Sequence, residues 1–222
     1  MGFAHRGLHG TGLPENSLAA FEAALAVGAG IECDLRLTAD GIPIIFHDRD
    51  TGRLCGKTRV CSEAHWADLA GLRLSGTDHR IPSLAELLAL VAGRVPLLLE
   101  LKDERNSARF SAAVAAELRK YEGPAGVMSF AAGVGRWLAE RAPNVRRGLV
   151  LSGRDSTLRR WHKMRRSDPQ FLAVKVTELG EAWLHSARER MAVYSWTVRS
   201  AAERKTATVH ADACIWEADG RP

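Results

Sequence analysis

Acidic side chains interrupt two apolar segments of the sequence where strands are expected. Glu32 and Asp34 lie within the apolar segment 31–35, and Glu100 and Lys102 end a leucine-rich segment. Because side chains two residues apart on a strand face the same way, each pair is predicted to point into one space. A single buried carboxylate usually pairs with Arg or Lys, but three that converge repel one another strongly. We therefore predict that Glu32, Asp34 and Glu100 bind one divalent cation, Mg²⁺ or Ca²⁺, both of which prefer oxygen ligands.

Two histidines end apolar segments, and each is followed by a charged residue. His5 precedes Arg6, and His47 precedes Asp48. Near a cation the two imidazoles could act as general acid and general base at neutral pH, whereas as metal ligands they would favour zinc. Arg6 and Lys102 add positive charge that suits a phosphate, and a guanidinium can contact two phosphate oxygens at once. Together these residue types indicate metal-assisted chemistry on a phosphate ester.

Strand-like and helix-like segments alternate along the chain, which is typical of parallel β/α units. Asp40-Gly41 predicts a tight turn that pairs segment 42–46 with the second strand as a hairpin, and Ser83 with Glu86 predicts a helix capping box. With the hairpin arm counted as part of the second strand, strands are predicted at 3–5, 31–35, 96–102, 127–129, 148–151, 171–176, 192–198 and 213–216. These eight units predict a (β/α)₈ TIM barrel. A doubly wound sheet is the alternative, but no glycine-rich phosphate loop follows the first strand.

The predicted barrel also gives the candidate residues a common location. We expect one α/β domain over residues 1–222, with the irregular segment 49–80 forming a short insertion, or lid, after the hairpin. The first helix is predicted to begin at Asn16 or Ser17 and to end at Gly28. Active sites of such barrels lie at the C-terminal ends of the strands, where the carboxylates and histidines are predicted to lie.

The composition is that of an ordinary globular protein with a mildly basic charge. Hydrophobic residues make up 46% and charged residues 26% of the 222 residues, and the formal charge is +5. No apolar run reaches the roughly 20 residues that span a bilayer, and no signal segment precedes the first strand, so a cytoplasmic location is expected. Basic residues are not interleaved with aromatic ones along one face, which argues against nucleic-acid binding. No oligomeric state is predicted.

Two segments leave alternatives open. Segment 158–166 is strongly basic and is interpreted as a solvated helix face, with a transient contact to an anionic membrane as the alternative. Cys33 and Cys214 lie in apolar segments and are expected to be buried thiols. Cys55 and Cys61 lie six positions apart in a loop, where a disulfide could form.

These residues and their spacing resemble the glycerophosphodiester phosphodiesterase family. The resemblance extends in order over essentially the whole chain and is most specific in the first fifty residues. The matching stretches are 5–7, 14–17 with 20–21, 28–34, 38–41, 47–48, 81–84, 99–102, 129–130 and 195–198.

The resemblance implies a TIM barrel that hydrolyses glycerophosphodiesters to glycerol 3-phosphate and an alcohol. It assigns His5 and His47 to acid–base catalysis, and it implies attack on phosphorus by the substrate's own glycerol 2-hydroxyl before water opens the cyclic phosphate. It also implies the following roles: Glu32, Asp34 and Glu100 as metal ligands, Arg6 and Lys102 as phosphate contacts, Trp196 as a wall of the substrate pocket, and Glu15 and Asn16 as supporting residues.

The sequence also leaves open a second activity within the same chemistry. Segment 49–80 is short compared with family members that carry a full insertion domain, so an open mouth could admit lysolipid head groups. The pair Cys55 and Cys61 is similar to the disulfide loop of the related sphingomyelinase D enzymes. The alternative is therefore lysophospholipase D-like cleavage of lysolipids.

Overall fold

Eight parallel strands close into a barrel within residues 2–102 and 106–221, the part of the chain that the computed structural model describes. A ninth strand, β3, is the antiparallel arm of a hairpin with β2. The barrel closes because β1 pairs in parallel with both β2 and β9. The strands are β1 Gly2–His5, β2 Gly30–Leu37, β3 Pro43–Ile45, β4 Leu97–Leu101, β5 Ala125–Ser129, β6 Arg146–Val150, β7 Phe171–Lys175, β8 Ala192–Val198 and β9 Ala213–Trp216. The predicted TIM barrel is confirmed.

Helices lie between the strands, and their caps follow the sequence signals. Ser17 accepts a hydrogen bond from the backbone N–H of Ala20 and begins the first helix, as one of the two predicted residues. The capping box of Ser83 and Glu86 is also confirmed. The helices are α1 Leu18–Ala26, α2 Gly52–Cys55, α3 Trp66–Leu69, α4 Leu84–Val91, α5 Ser107–Leu118, α6 Ala132–Arg141, α7 Thr157–Ser167, α8 Ala182–Arg188 and α9 Ala201–His210, with 3₁₀ turns at Val176–Glu178 and Ala218–Gly220.

The alternation along β2 divides its side chains between two environments. Cys33 is fully buried in the apolar layer between the strands and the helices, where Phe21 also lies. A separate apolar cluster that includes Phe3 and Phe171 is formed by side chains of six strands. In the strand register, Asp34 is opposite Glu100 of β4, and Glu32 is opposite His5 of β1. Parallel pairing thus places acidic side chains of two strands beside the histidine that ends a third.

The predicted insertion has more structure than the sequence indicated. Segment 49–80 contains the single-turn helices α2 and α3, so the expectation of an irregular segment was wrong there. An apolar cluster of its own anchors it to the end of the hairpin, because Phe46 packs with Leu54, Leu69 and Leu74. A small core of this kind fixes the segment against the barrel without extending the barrel's own core.

The four cysteines are thiols, and no disulfide joins Cys55 to Cys61. Burial raises the pKa of each of these two thiols to about 11, so both stay protonated and unreactive at neutral pH. The loop therefore differs from the disulfide loop considered from the sequence. Among residues 2–102 and 106–221, no helix is long and apolar enough to cross a membrane.

Candidate active site

A cleft of about 420 Å³ lies over the C-terminal ends of the barrel strands. Six of the eight residues selected from the sequence line it, and the other two, Glu32 and Asp34, are buried and face the same residues. The structure thus brings all eight together at one end of the barrel. The six lining residues are His5, Arg6, His47, Glu100, Lys102 and Trp196.

Three carboxylates form the buried base of the site. One oxygen each from Glu32, Asp34 and Glu100 lies within 4.8 Å of the others, and all three side chains are buried. Burial and the negative charges of its two neighbours raise the pKa of Glu32 well above its usual range. Burial, together with the charge of Asp34, also raises the pKa of Glu100 against the opposing effect of Lys102. The charged form of two carboxylates is therefore disfavoured unless more positive charge is supplied.

Two cations already lie among these carboxylates. Lys102 Nζ is 2.8 Å from Glu100 Oε1 and 3.1 Å from Asp34 Oδ1, and Arg6 Nε is 3.1 Å from Asp34 Oδ2. Although burial opposes the shift, Lys102 and Arg6 hold the pKa of Asp34 well below its usual range. Three carboxylates against two cations leave one negative charge in excess when all five groups are ionised. The salt bridges expected from the sequence as the alternative are thus present, and they do not neutralise the cluster.

The donor set fits a hard divalent cation. All three candidate ligands are carboxylate oxygens, which Mg²⁺ and Ca²⁺ prefer over nitrogen or sulfur. Burial first, and then the charges of the neighbouring carboxylates, raise the pKa of Glu32 and Glu100, so further positive charge would stabilise their ionised forms. A divalent cation would supply that charge at the place where the carboxylates converge.

Residues just after β1 position two of the carboxylates. The side-chain amide of Asn16 donates to Asp34 Oδ2 over 2.9 Å, and its oxygen accepts from the backbone N–H of Asp34 over 3.2 Å. The backbone N–H of Arg6 donates to Glu32 Oε2 over 3.1 Å. Arg6 and Asn16 adopt positive φ angles of 58° and 57°, and Gly7 between them has a φ of 81°. The backbone N–H of Gly7 donates to the carbonyl of Ala4 and closes a turn there, and the backbone N–H of Asn16 donates to the carbonyl of Arg6, which keeps Asn16 beside Arg6 and next to β2.

Each candidate catalytic histidine has a carboxylate on the same ring nitrogen. His5 Nδ1–H donates to Glu217 Oε2 over 2.6 Å, and His47 Nδ1–H donates to Asp48 Oδ1 over 2.7 Å. Burial lowers the pKa of His47, with Lys102 contributing and Asp34 opposing the shift. An imidazole held through Nδ1 keeps Nε2 for exchange of a proton with a substrate. The two rings are therefore oriented alike for acid–base chemistry.

An alternating chain of charges connects the two sides of the cleft. Glu15 Oε1 is 2.8 Å from Arg6 Nη1 and 2.7 Å from Arg53 Nη2, and Arg53 Nε is 2.5 Å from Asp48 Oδ2. Arg53 belongs to α2 of the insertion, so the insertion contributes directly to the support of His47. The sequence indicated a supporting role for Glu15, but it did not indicate this partner.

Arg36 and Glu217 support the site and were missed from the sequence. Arg36 donates to the backbone carbonyl of His47 over 2.7 and 3.0 Å and to that of Lys102 over 3.0 Å. Glu217 directly follows β9, and His5 is the last residue of β1. The rule that polar residues at strand ends build barrel sites would have found Glu217, had it been applied to the last strand. Nothing in the sequence indicated the backbone partners of Arg36.

Trp196 lies in the wall of the cleft and also packs into the barrel. Its ring meets the ring of Phe130 edge to face at 5.7 Å, and Lys175 Nζ lies 5.6 Å from its centroid. All three residues line the cleft. The Trp196 ring therefore forms part of the wall of the cleft and also takes part in aromatic packing.

The chain is similar to known phosphodiesterases in sequence. A model of the glycerophosphoryl diester phosphodiesterase family matches residues 5–215. The chain is 38% identical over 86 residues to a probable glycerophosphodiester phosphodiesterase 2 of Mycobacterium tuberculosis, which covers 38% of this chain and 32% of that protein. It is 40% identical over 95 residues to human glycerophosphodiester phosphodiesterase 1, and this alignment covers 39% of this chain and 28% of the human protein. The aligned part spans about a third of the length of these two relatives.

Solved structures resemble this barrel over nearly its whole length. A phosphodiesterase from Oleispira antarctica, solved in complex with the product sn-glycerol-3-phosphate, gives a TM-score of 0.86 at 24% identity over 96% of this chain and 91% of that chain. A glycerophosphodiester phosphodiesterase from Thermotoga maritima gives a TM-score of 0.80 at 25% identity, over 96% of this chain and 92% of that chain. These likenesses agree with the fold described above.

The raised pKa of Glu32 predicts a pH-dependent effect of Glu32→Gln in chelator-treated protein. The pKa of the Glu32 carboxyl is higher in the folded protein than in the unfolded chain, where it is about 4.3. Below about pH 4.3 the protonated carboxyl contributes its full stabilisation to the fold. This contribution is lost as the pH rises through the pKa of the folded state. Glutamine cannot ionise and escapes the loss. The melting temperature of the variant relative to wild type should therefore rise between about pH 5 and about pH 9.

The matched control is Glu63→Gln, which removes a carboxylate whose side chain is 70% exposed on the insertion. Its melting temperature relative to wild type should not show that rise. A difference for Glu32→Gln that stays constant or falls over the same range would contradict a strained buried carboxylate.

Proposed function

The chain belongs to the glycerophosphoryl diester phosphodiesterase family, and we propose that it hydrolyses glycerophosphodiesters to glycerol 3-phosphate and an alcohol with the help of a divalent cation. The observation that carries this proposal is the meeting of three buried carboxylates, two oriented histidines and two cationic side chains at one cleft. The product bound to the Oleispira antarctica phosphodiesterase supports the choice of substrate.

Glu32, Asp34 and Glu100 are the proposed cation ligands. When bound, the cation supplies positive charge that polarises a phosphoryl oxygen and stabilises charge there in the transition state. Asn16 holds Asp34 in place through two hydrogen bonds, and the backbone N–H of Arg6 holds Glu32. Ligands fixed in this way keep their geometry while the substrate reacts.

Arg6 and Lys102 are the proposed phosphate contacts. Both line the cleft and both touch the carboxylate cluster, so a phosphate that they bind lies next to the proposed cation site. Burial opposes their charge, but the carboxylates, Asp34 first among them, raise the pKa of each and keep both protonated. Trp196 forms the proposed wall for the remainder of the substrate.

His5 and His47 are the proposed acid–base pair. In the first step, Nε2 of one imidazole takes the proton of the attacking hydroxyl, and the other imidazole gives a proton to the departing alkoxide. In the second step, water attacks and the two imidazoles transfer protons in the opposite direction. Both histidines then have their starting protonation states again. Glu217 and Asp48 accept from Nδ1 and stabilise the imidazolium form when it appears. Neither carboxylate needs to touch the substrate, and both are positioning residues.

Loss of either proposed catalytic imidazole should abolish most turnover without unfolding the protein. His5→Ala and His47→Ala are each expected to lower kcat on glycerophosphocholine by about 10²–10⁴-fold, because proton transfer is lost. Chelator should have a comparable effect on wild type, and Mg²⁺ or Ca²⁺ should reverse it. The control His79→Ala, at a partly buried residue of the insertion that does not line the cleft, should keep the wild-type rate. A wild-type rate in either test variant would overturn the assignment.

The carboxylate behind His5 should affect kcat more than KM. Glu217→Gln is expected to lower kcat by about tenfold or more while KM stays near wild type, because the ring loses the group that orients it and stabilises its charged form. Glu217→Asp should restore part of the rate, since it keeps the charge. A merely structural role for Glu217 predicts a lower melting temperature with no selective fall in kcat.

Cleavage of lysolipid head groups is a second candidate function, favoured by the surface of α7. Leu158 and Trp161 are 66% and 51% exposed on this helix. The Cζ atom of Arg165 lies 5.0 Å from the centroid of the Trp161 ring, and Lys163 Nζ is 2.8 Å from Asp155 Oδ2. Apolar side chains among basic ones are typical of a helix that contacts an anionic lipid surface. Such a contact would bring lipid-embedded substrates to the barrel.

Removal of the exposed apolar side chains tests this second function. The double variant Leu158→Ser with Trp161→Ser should cleave a lysophospholipid in anionic vesicles more slowly than wild type and keep the wild-type rate on soluble glycerophosphocholine. Val209→Ser, at a residue 61% exposed on α9, is the matched control and should change neither rate. Equal rates on vesicles for wild type and the double variant would exclude a role of α7 in lipid cleavage.

A further inference from the structure

A second cluster of potential metal ligands lies beside the first, and it contains two imidazoles. His5 ends β1, His9 follows in the loop after β1, and Glu217 follows β9. One ligand atom from each of the three lies within 4.8 Å of the others. We propose that His5, His9 and Glu217 form a site for a transition-metal ion such as Zn²⁺, separate from the all-carboxylate site, and that its occupation inhibits the enzyme.

The types of donor distinguish the two clusters. Two imidazole nitrogens and one carboxylate oxygen are a ligand set that Zn²⁺ accepts with a fourth position left open. The cluster of Glu32, Asp34 and Glu100 offers oxygen alone and suits hard ions. Mg²⁺ would therefore bind preferentially to the three carboxylates, and Zn²⁺ to the cluster with two imidazoles.

His9 is the residue that the proposed hydrolysis does not use. Its Nε2 atom is buried and has no hydrogen-bond partner among residues 2–102 and 106–221. Its distance to Glu217 Oε2, 3.7 Å, is too long for a hydrogen bond. A buried ring nitrogen without a partner carries a desolvation cost that a bound metal ion would relieve.

The carboxylate is already directed at both rings. Glu217 Oε2 is 2.6 Å from His5 Nδ1 and 3.7 Å from His9 Nε2, while Oε1 is 2.5 Å from Arg199 Nε. Arg199 thus fixes Oε1 of Glu217 and leaves Oε2 between the two imidazoles. Side chains that bind metal ions are commonly oriented by such a second hydrogen-bonding partner. Ligands about 2.0–2.1 Å from a tetrahedral ion lie about 3.3 Å from each other, between the two observed separations. Small side-chain rotations would suffice.

Occupation of this site would remove His5 from catalysis, and this consequence rests on the proposed function. The ion replaces the proton on His5 Nδ1, which passes to solvent, and a bond from Nδ1 to the metal forms in place of the hydrogen bond to Glu217. The ring then can no longer become a doubly protonated imidazolium at the step that requires it. Inhibition follows without displacement of the cation held by the carboxylates.

The experiment measures metal binding first and activity second. Chelator-treated protein is saturated with Mg²⁺, and Zn²⁺ binding is followed by equilibrium dialysis, with the visible absorption of Co²⁺ as a spectroscopic probe of nitrogen ligation. Wild type should bind Zn²⁺ under these conditions. His9→Gln should bind it at least about tenfold more weakly, keep the basal rate, and be inhibited less by Zn²⁺. Glu100→Gln should keep Zn²⁺ binding, and the control His79→Gln should behave as wild type.

Each outcome bears on the proposal. Unchanged Zn²⁺ affinity in His9→Gln, or loss of binding in Glu100→Gln, would overturn the second site. Equal loss in His9→Gln and His79→Gln would also overturn it, because binding would then be nonspecific. Zn²⁺ binding that depends on His9, in a protein that hydrolyses no glycerophosphodiester, would refute the proposed function and leave the metal site supported.

Discussion

The burial of three carboxylates at one end of the barrel is the constraint on which the rest of the site depends. Two like charges about 4 Å apart repel by about 4 kcal/mol at an effective dielectric constant near 20, in addition to the cost of their desolvation. Arg6 and Lys102 offset part of this energy, and the raised pKa values of Glu32 and Glu100 show that they do not offset all of it. A divalent cation, as proposed above, would offset the remaining repulsion.

The same electrostatic problem explains why the surroundings are so rich in paired charges. Arg6 faces Asp34 on one side and Glu15 on the other, and Glu15 shares Arg53 with Asp48. Arg6, Glu15, Arg53 and Asp48 each contact a partner of opposite charge, and these contacts fix the orientation of the side chains around the cleft. The insertion takes part because Arg53 lies on α2, so the small apolar cluster of the insertion also stabilises the position of the candidate site.

Sequence patterns were sufficient for the parts of this protein that depend on local rules. The period-two alternation along β2 separated Glu32 and Asp34 from Cys33, and the structure places Cys33 in the outer apolar layer as that alternation requires. Ser17 and Ser83 cap helices because side-chain oxygens satisfy free N–H groups within the same turn. Segment 49–80 gave no such pattern, because single-turn helices such as α2 are too short to show a periodicity.

The sequence by itself determined the barrel and the set of residue types that meet at its C-terminal end, because alternation, capping and strand order are written in neighbouring positions. Only the tertiary structure decided which groups pair. His5 and Glu217 are 212 positions apart and meet because β1 closes the barrel against β9. The same closure brings His9 to Glu217, and the path of segment 6–16 between β1 and α1 brings Asn16 to Asp34. These contacts follow from register and ring closure, which no local pattern encodes.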